Sequence, residues 1–201
     1  RDPYARTPFD APTDAGAGPY GAPYRPTPLE WEHEGKRYFN ERPISTQQTA
    51  GTYVVQIRPQ LPDAVGGIVW YGNDDPNMVP YTPVYCSAKE APACYDPKDA
   101  DGVSFSWKSA FWIQNWVSNM TYPRYNQLFP SLEKVRNELV GQYIKDVAAV
   151  DQKALTLLKE APARAKAYLT DFSNRCANEM LNSWIQLGQY LVVKYNDKTI
   201  R

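Results

Sequence analysis

Residues Thr52–Gly72, TYVVQIRPQLPDAVGGIVWYG, decide how this chain is read. Thr52 to Arg58 is rich in β-branched and aromatic residues, the types that fit a pleated, partly covered surface. Two prolines and a glycine then turn the chain, and Gly67 to Gly72 reads as the return strand. Both runs are almost continuously apolar rather than alternating. That pattern predicts cover on both faces, as in an inner sheet of a layered structure rather than a solvent-facing meander.

Just ahead of the first strand the chain crowds polar groups: Asn40, Glu41, Arg42, Ser45, Thr46, Gln47, Gln48 and Thr49. Pro43 biases Arg42 toward extended backbone. A guanidinium is a planar fork of donors that suits a carboxylate or a developing oxyanion. Strand ends are common places for a site in layered folds. Arg42 is therefore the candidate catalytic residue, with Asn40, Ser45 and Gln47 as candidate substrate-binding residues. The competing reading pairs Arg42 with a structural carboxylate and makes the hydroxyls an ordinary strand start.

Residues 1–50 hold eight prolines, at 3, 8, 12, 19, 23, 26, 28 and 43. Pro and Gly at this density exclude a long helix. The same segment carries Tyr4, Phe9, Tyr20, Tyr24 and Trp31, so an ordered wrap is expected, with a short hairpin around Leu29–Phe39. Residues 51–102 should hold the strand pair and a loop-rich stretch. Asp74 and Asp75 are adjacent, so their side chains should diverge and cap a turn with Pro76. Cys86 and Cys94 bracket SAKEAPA and are expected to pair if the compartment is oxidising, which would stabilise the loop by roughly 2–3 kcal/mol. A bond there leans toward an exported protein, its absence toward a cytoplasmic one. Cys176, inside a helical pattern, reads as a buried thiol.

Residues 103–201 read as helical. Ser104 or Ser106 can cap a helix running to about Met120, and Pro123 should end or kink it. Ser131 follows Pro130 as the next cap. Leu132, Val135, Leu139, Tyr143, Val147, Val150, Ala154 and Leu157 then recur at spacings of three and four. Pro162 suits the first turn of another helix, and Ala165, Leu169, Phe172, Cys176, Met180, Trp184, Leu187 and Leu191 repeat the rhythm. The short connection at residues 160–162 makes the two helices antiparallel. Their outer positions, among them Glu133, Lys134, Arg136, Glu138 and Lys145, are polar and read as a solvated face.

Lys and Arg together number 22, as do Asp and Glu, so the chain lacks the basic footprint of a nucleic-acid or anionic-membrane protein. No apolar run approaches the roughly 20 residues of a membrane span. His33 is the only histidine, and the cysteine spacing is wrong for a zinc knuckle, so neither metal nor cofactor is expected. Phosphate-loop, dinucleotide and nucleophile-elbow motifs are absent.

From Arg42 onward the order R-x-I-S, T, V-x-Q-x-R-x-x-L-P, G-G, W and a Tyr/Pro-rich loop is supplied by Arg42, Ile44, Ser45, Thr49 or Thr52, Val54 or Val55, Gln56, Arg58, Leu61, Pro62, Gly66, Gly67, Trp70 and Pro80 to Tyr85. This resembles the late segment of the cysteine dipeptidases among the N-terminal-nucleophile hydrolases, the dipeptidase A type. GAGPYGAPYRPTPLEW upstream and FSWKSAFWIQNWV downstream are similar to that family too. The resemblance implies an α+β fold, the carboxy-terminal part of an αββα sandwich. It implies hydrolysis of dipeptides by an amino-terminal Cys whose own amine is the base. Arg1 opens this chain and no cysteine lies near it, so the resemblance places the nucleophile upstream. The expected partners are a dipeptide substrate and the upstream catalytic half of the same protein, with homo-oligomerisation left open. Two other readings remain: a non-catalytic module in which the helical hairpin docks a partner, and a different linear-amide hydrolase of the same superfamily.

Overall fold

The computed structural model describes residues 20–22, 30–39 and 45–195. A two-stranded ribbon comes first, β1 (Glu30–His33) and β2 (Lys36–Phe39), antiparallel with His33 opposite Lys36. Glu34 and Gly35 both take positive φ, 51° and 70°, as a two-residue hairpin turn of the favoured hand requires. The hairpin expected around Leu29–Phe39 is present over Glu30–Phe39, Leu29 lying outside the described residues.

β3 (Gly51–Ile57) and β4 (Gly67–Asn73) form the pair expected from the sequence, with Val54 opposite Trp70 and Ile57 opposite Gly67. A single helical turn, α1 (Asp63–Gly66), links them. β5 (Thr82–Tyr85) adds to the other edge of β4, giving the order β3-β4-β5, antiparallel throughout. The sheet is therefore a meander after all. β5 lay hidden in a stretch read as loop because Pro83 argues against a strand. It is tolerated because β5 is an edge, where one row of amides needs no partner.

Cover on the two strands differs sharply. Ile68 on β4 and Tyr85 on β5 are buried against the helices. On β3, Tyr53, Val54, Val55 and Ile57 are exposed by 68, 55, 51 and 76%. The expectation that both faces of both strands are sheltered holds only in part for β4, where Ile68 and Gly72 are buried and Val69 and Tyr71 half-buried, and fails for β3.

α2 (Ala110–Thr121) is capped by Ser109, whose hydroxyl accepts from the Trp112 amide at 3.3 Å. The cap is neither Ser104 nor Ser106, because Ser109 alone stands next to the first buried helical residue, Ala110. A short 3-10 turn at Tyr122–Arg124 carries Pro123. α3 (Tyr125–Glu160) then starts six residues before Ser131 and takes Pro130 inside its first two turns. Tyr125 and Leu128, both buried, draw the helix start upstream. α4 (Pro162–Lys194) begins on a first-turn proline and runs back along α3.

The apolar stripes of α3 and α4 do what their periodicity predicts. Tyr143, Val147, Val150 and Ala154 meet Leu169, Phe172 and Cys176 beneath Val65, Ile68 and Tyr85. Further along, Leu128, Leu132, Trp184, Leu187 and Leu191 pack with Ile113 and Val117 of α2 and with Met78 and Val79 of the β4–β5 loop. A Cβ at Gly188 would fall 2.2 Å from the Trp116 ring, so only glycine lets α2 approach α4 this closely.

Candidate functional site

The loop from β4 to β5 carries the densest buried polar cluster described. Asp74 and Asp75 are 1 and 0% exposed. Their side chains take different partners, as expected, yet neither faces solvent. The Asp75 carboxylate accepts from the Ser45 hydroxyl, from the Asn77 amide at 3.0 Å, and from the Tyr122 hydroxyl at 3.0 Å. The Asn77 amide also reaches Ser45 Oγ at 3.1 Å, and its side chain donates to Tyr125 Oη at 3.1 Å. Arg136 donates to the Asn77 backbone carbonyl and, at 3.2 Å, to Asn77 Oδ1. Six residues from four parts of the chain thus share one hydrogen-bonded body.

Asp75 and Asn77 make the turn expected around Pro76, but the carboxylate also holds groups far away in sequence. Its donors satisfy a charge that would otherwise be costly to bury. Arg136, expected on the solvated outer face, is buried. It lies four residues after Leu132 and so falls on the apolar side of α3, where the carbonyl of Asn77 accepts from it and the carboxylate of Glu133 at 3.3 Å offsets its charge.

Asp74 sits on the opposite side of the same loop, at φ 73°. Its amide donates to the Ala50 carbonyl at 3.1 Å, and Oδ1 accepts from Asn115 Nδ2 at 3.0 Å. Burial pushes its carboxyl up to about 6; the Ser118 hydroxyl and the Asn115 amide hold it back from rising further, and the Asp75 charge adds to the rise.

A second polar node ties the strand pair to the helices. Arg58 pairs with Asp151 of α3 and donates to the Val65 carbonyl, and the Tyr85 hydroxyl donates to Asp151 Oδ1 at 2.6 Å. Burial, and then the adjoining Asp151 carboxylate, push the Tyr85 hydroxyl well above its ordinary range. Sequence reasoning passed over this pair. The signal was present: Asp151 follows Val150 and lies four residues after Val147, a charge set on the apolar stripe.

The candidates named from sequence fare differently. Ser45 joins the Asp75 cluster, buried to 3% exposure, so its hydroxyl serves the loop rather than an open cleft. Gln47 is half-buried in a turn closed by the Thr49 amide on the Thr46 carbonyl at 3.0 Å and makes no bond to the cluster. Asn40 and Arg42 lie outside the described residues. Cys86 and Cys94 are free thiols, which corrects the expected disulfide. Cys94 is buried with Ala110, Ala177 and Met180, its Sγ 4.0 Å from the Ala177 carbonyl, while Cys86 is exposed beside Gly67. Packing against α4 turns Cys94 inward. Cys176 is buried as expected, and burial pushes both inner thiols up to about 12, so neither is a ready thiolate. Among the described residues no group of three or more His, Cys, Asp or Glu could hold a metal ion, and no helix is long and apolar enough to cross a membrane.

The family model of peptidase family C69 matches residues 1–138, which take in the ribbon, the sheet, α2 and the whole Ser45–Asp75–Asn77–Arg136 cluster. The chain belongs to peptidase family C69. The C69 match stops inside α3, so the rest of α3, with Asp151, and the whole of α4 lie beyond it. A probable dipeptidase of Latilactobacillus sakei is 24% identical over 153 residues. That alignment covers 76% of this chain and 31% of the relative, so the C69 chain spans about a third of the length of the protein it matches.

Proposed function

We propose that this chain is the carboxy-terminal portion of a dipeptidase, and that it supports the hydrolysis of dipeptide amide bonds by an amino-terminal Cys nucleophile lying upstream of it. The membership in peptidase family C69 carries the reading. A free α-amine, with its ordinary pKa near 8, is a workable base for such a thiol at neutral pH. Within the described residues the two buried thiols are poorly suited to the nucleophile's part, because burial keeps them protonated. The bare face of β3 also suits a portion of a larger body: an apolar strand whose outer edge has no partner among the described residues is a surface that another segment can cover.

Arg42 is the residue of this chain proposed to touch the substrate, holding the dipeptide carboxylate or steadying the Cys. It lies three residues before Ser45, within about 10 Å of chain, and Ser45 is itself anchored to Asp75. Asn40 and Gln47 stay as proposed substrate contacts, whereas Ser45 becomes the anchor. In the full-length protein, Arg42→Ala should lower kcat/KM on dipeptides at least tenfold, a loss of about 1.4 kcal/mol. Unchanged kinetics would remove Arg42 from the site. An amino-terminal residue other than Cys in the mature full-length protein would overturn the nucleophile assignment.

A further inference from the structure

We infer that the junction of α2, α3 and α4 holds a binding site for an organic carboxylate with an apolar body. A cavity of about 690 Å³ opens there, within the range of small-molecule sites. Its walls are apolar: Trp116 and Met120 from α2, Leu128 from α3 and Leu191 from α4. A single cation, Arg124, stands among the lining residues.

The state of Arg124 is what makes this a site rather than a gap between helices. Its guanidinium lies 4.0 Å from the ring centroid of Tyr195 and 5.1 Å from that of Tyr20. Rings over a planar guanidinium hold it in place and leave its N–H donors pointing outward along the edges. Those donors are nearly unused. One reaches Gln127 Oε1 at 3.4 Å, a long contact, and among the described residues no carboxylate pairs with it. The contrast with Arg58 and Arg136 is direct, since each of those is paired to an acid. A half-buried, ring-held, acid-free guanidinium at an apolar cavity matches a carboxylate, which it can take through two parallel N–H bonds. The apolar walls select for the rest of the ligand.

Local backbone supports the placement. The 3-10 turn at Tyr122–Arg124 sends Tyr122 to Asp75, while Arg124 faces the cavity. The Asn126 amide donates to the Tyr20 carbonyl at 3.0 Å, which holds the Tyr20 ring at the mouth. The close approach of Trp116 to Gly188 holds the opposite wall.

The test is binding of decanoate, with decanol as the uncharged control, to the full chain by isothermal titration calorimetry. Saturable binding of decanoate at least tenfold tighter than decanol is expected. Arg124→Gln should abolish that preference while leaving decanol binding unchanged. Met120→Trp, which narrows the cavity with a larger ring without touching the charge, should weaken binding of both at least fivefold. Circular dichroism melting of each variant reports folding, and if Arg124→Gln does not fold, Arg124→Lys replaces it, with a loss of preference of at least fivefold expected because an ammonium cannot make the paired bonds. Decanoate that fails to bind saturably, that binds no tighter than decanol, or that binds the folded Arg124 and Met120 variants as it binds the parent overturns the inference. The assay needs no catalysis, so its outcome is independent of the peptidase reading.

Discussion

β3 and β4 are paired along their full length and are built from similar residues, yet they live in different surroundings. β4 lies between two strands, with Ile68 sealed against the α3–α4 hairpin; β3 presents Tyr53, Val54, Val55 and Ile57 to solvent. The lesson concerns what apolarity means. An apolar run states that a strand needs cover on both faces, and it does not state whether that cover lies in the same segment of chain. The helical hairpin supplies cover to β4 and β5 and then runs out. A contiguous exposed apolar strand of this kind marks an interaction surface or a hazard for edge-to-edge association.

The largest effect should come from the side that is sealed. Asp151→Ala leaves Arg58 buried without its partner, and breaking such a pair costs about 3–5 kcal/mol. Denaturant unfolding should show the loss as a lower midpoint. An effect below 1 kcal/mol would mean that the node joining β3's end to α3 is solvated, and the contrast between the strands would weaken. Trp184→Ala should cost a similar 3–5 kcal/mol, because a fully buried ring is removed from the seam between α2, α3 and α4. Thermal melting checks it.

Asp74 sharpens the comparison at the strand ends, where its amide meets the carbonyl of Ala50. The folded state raises its pKa from 3.8 to about 6, so folding favours the neutral acid. The stability it contributes is full below pH 3.8 and is lost as pH rises to about 6. Asp74→Asn keeps an acceptor for Asn115 and removes the titration. It should stabilise the chain at pH 7.5 by roughly 2–3 kcal/mol and flatten stability between pH 4 and 6. An unaltered pH profile in the variant would show that the carboxylate is charged and solvated in the fold.

The smallest effect belongs to the bare side. Ile57→Lys should change the stability of this chain by less than about 0.5 kcal/mol, the usual range for an exposed position. The equivalent change at Ile68, fully buried on β4, should prevent folding. In the full-length protein the Ile57 change should become costly by about 1–3 kcal/mol if an upstream segment covers β3, since a lysine would then be buried. Equal, small effects in both proteins would show that β3 stays bare.

What the sequence determined by itself was local and periodic. The three-and-four spacing from Leu132 to Leu157 and from Ala165 to Leu191 dictated the two helices and their seam, because burying one stripe admits one arrangement of an antiparallel pair. Pro162 and Glu34-Gly35 marked a helix start and a hairpin turn through backbone chemistry alone. The order of residues from Arg42 to Tyr85 carried the resemblance that membership in family C69 bears out. The polar placements were decided only by tertiary structure. Asp75 finds Ser45 and Tyr122, Arg136 finds Asn77, and Arg58 finds Asp151 across 30 to 93 residues of chain. A polar side chain in a sequence reads as solvated until its partner is known, and long-range partners leave no periodic trace. The fate of Cys94 and the bareness of β3 have the same cause: which neighbour arrives, and on which face, is a property of the packed molecule and not of any stretch within it.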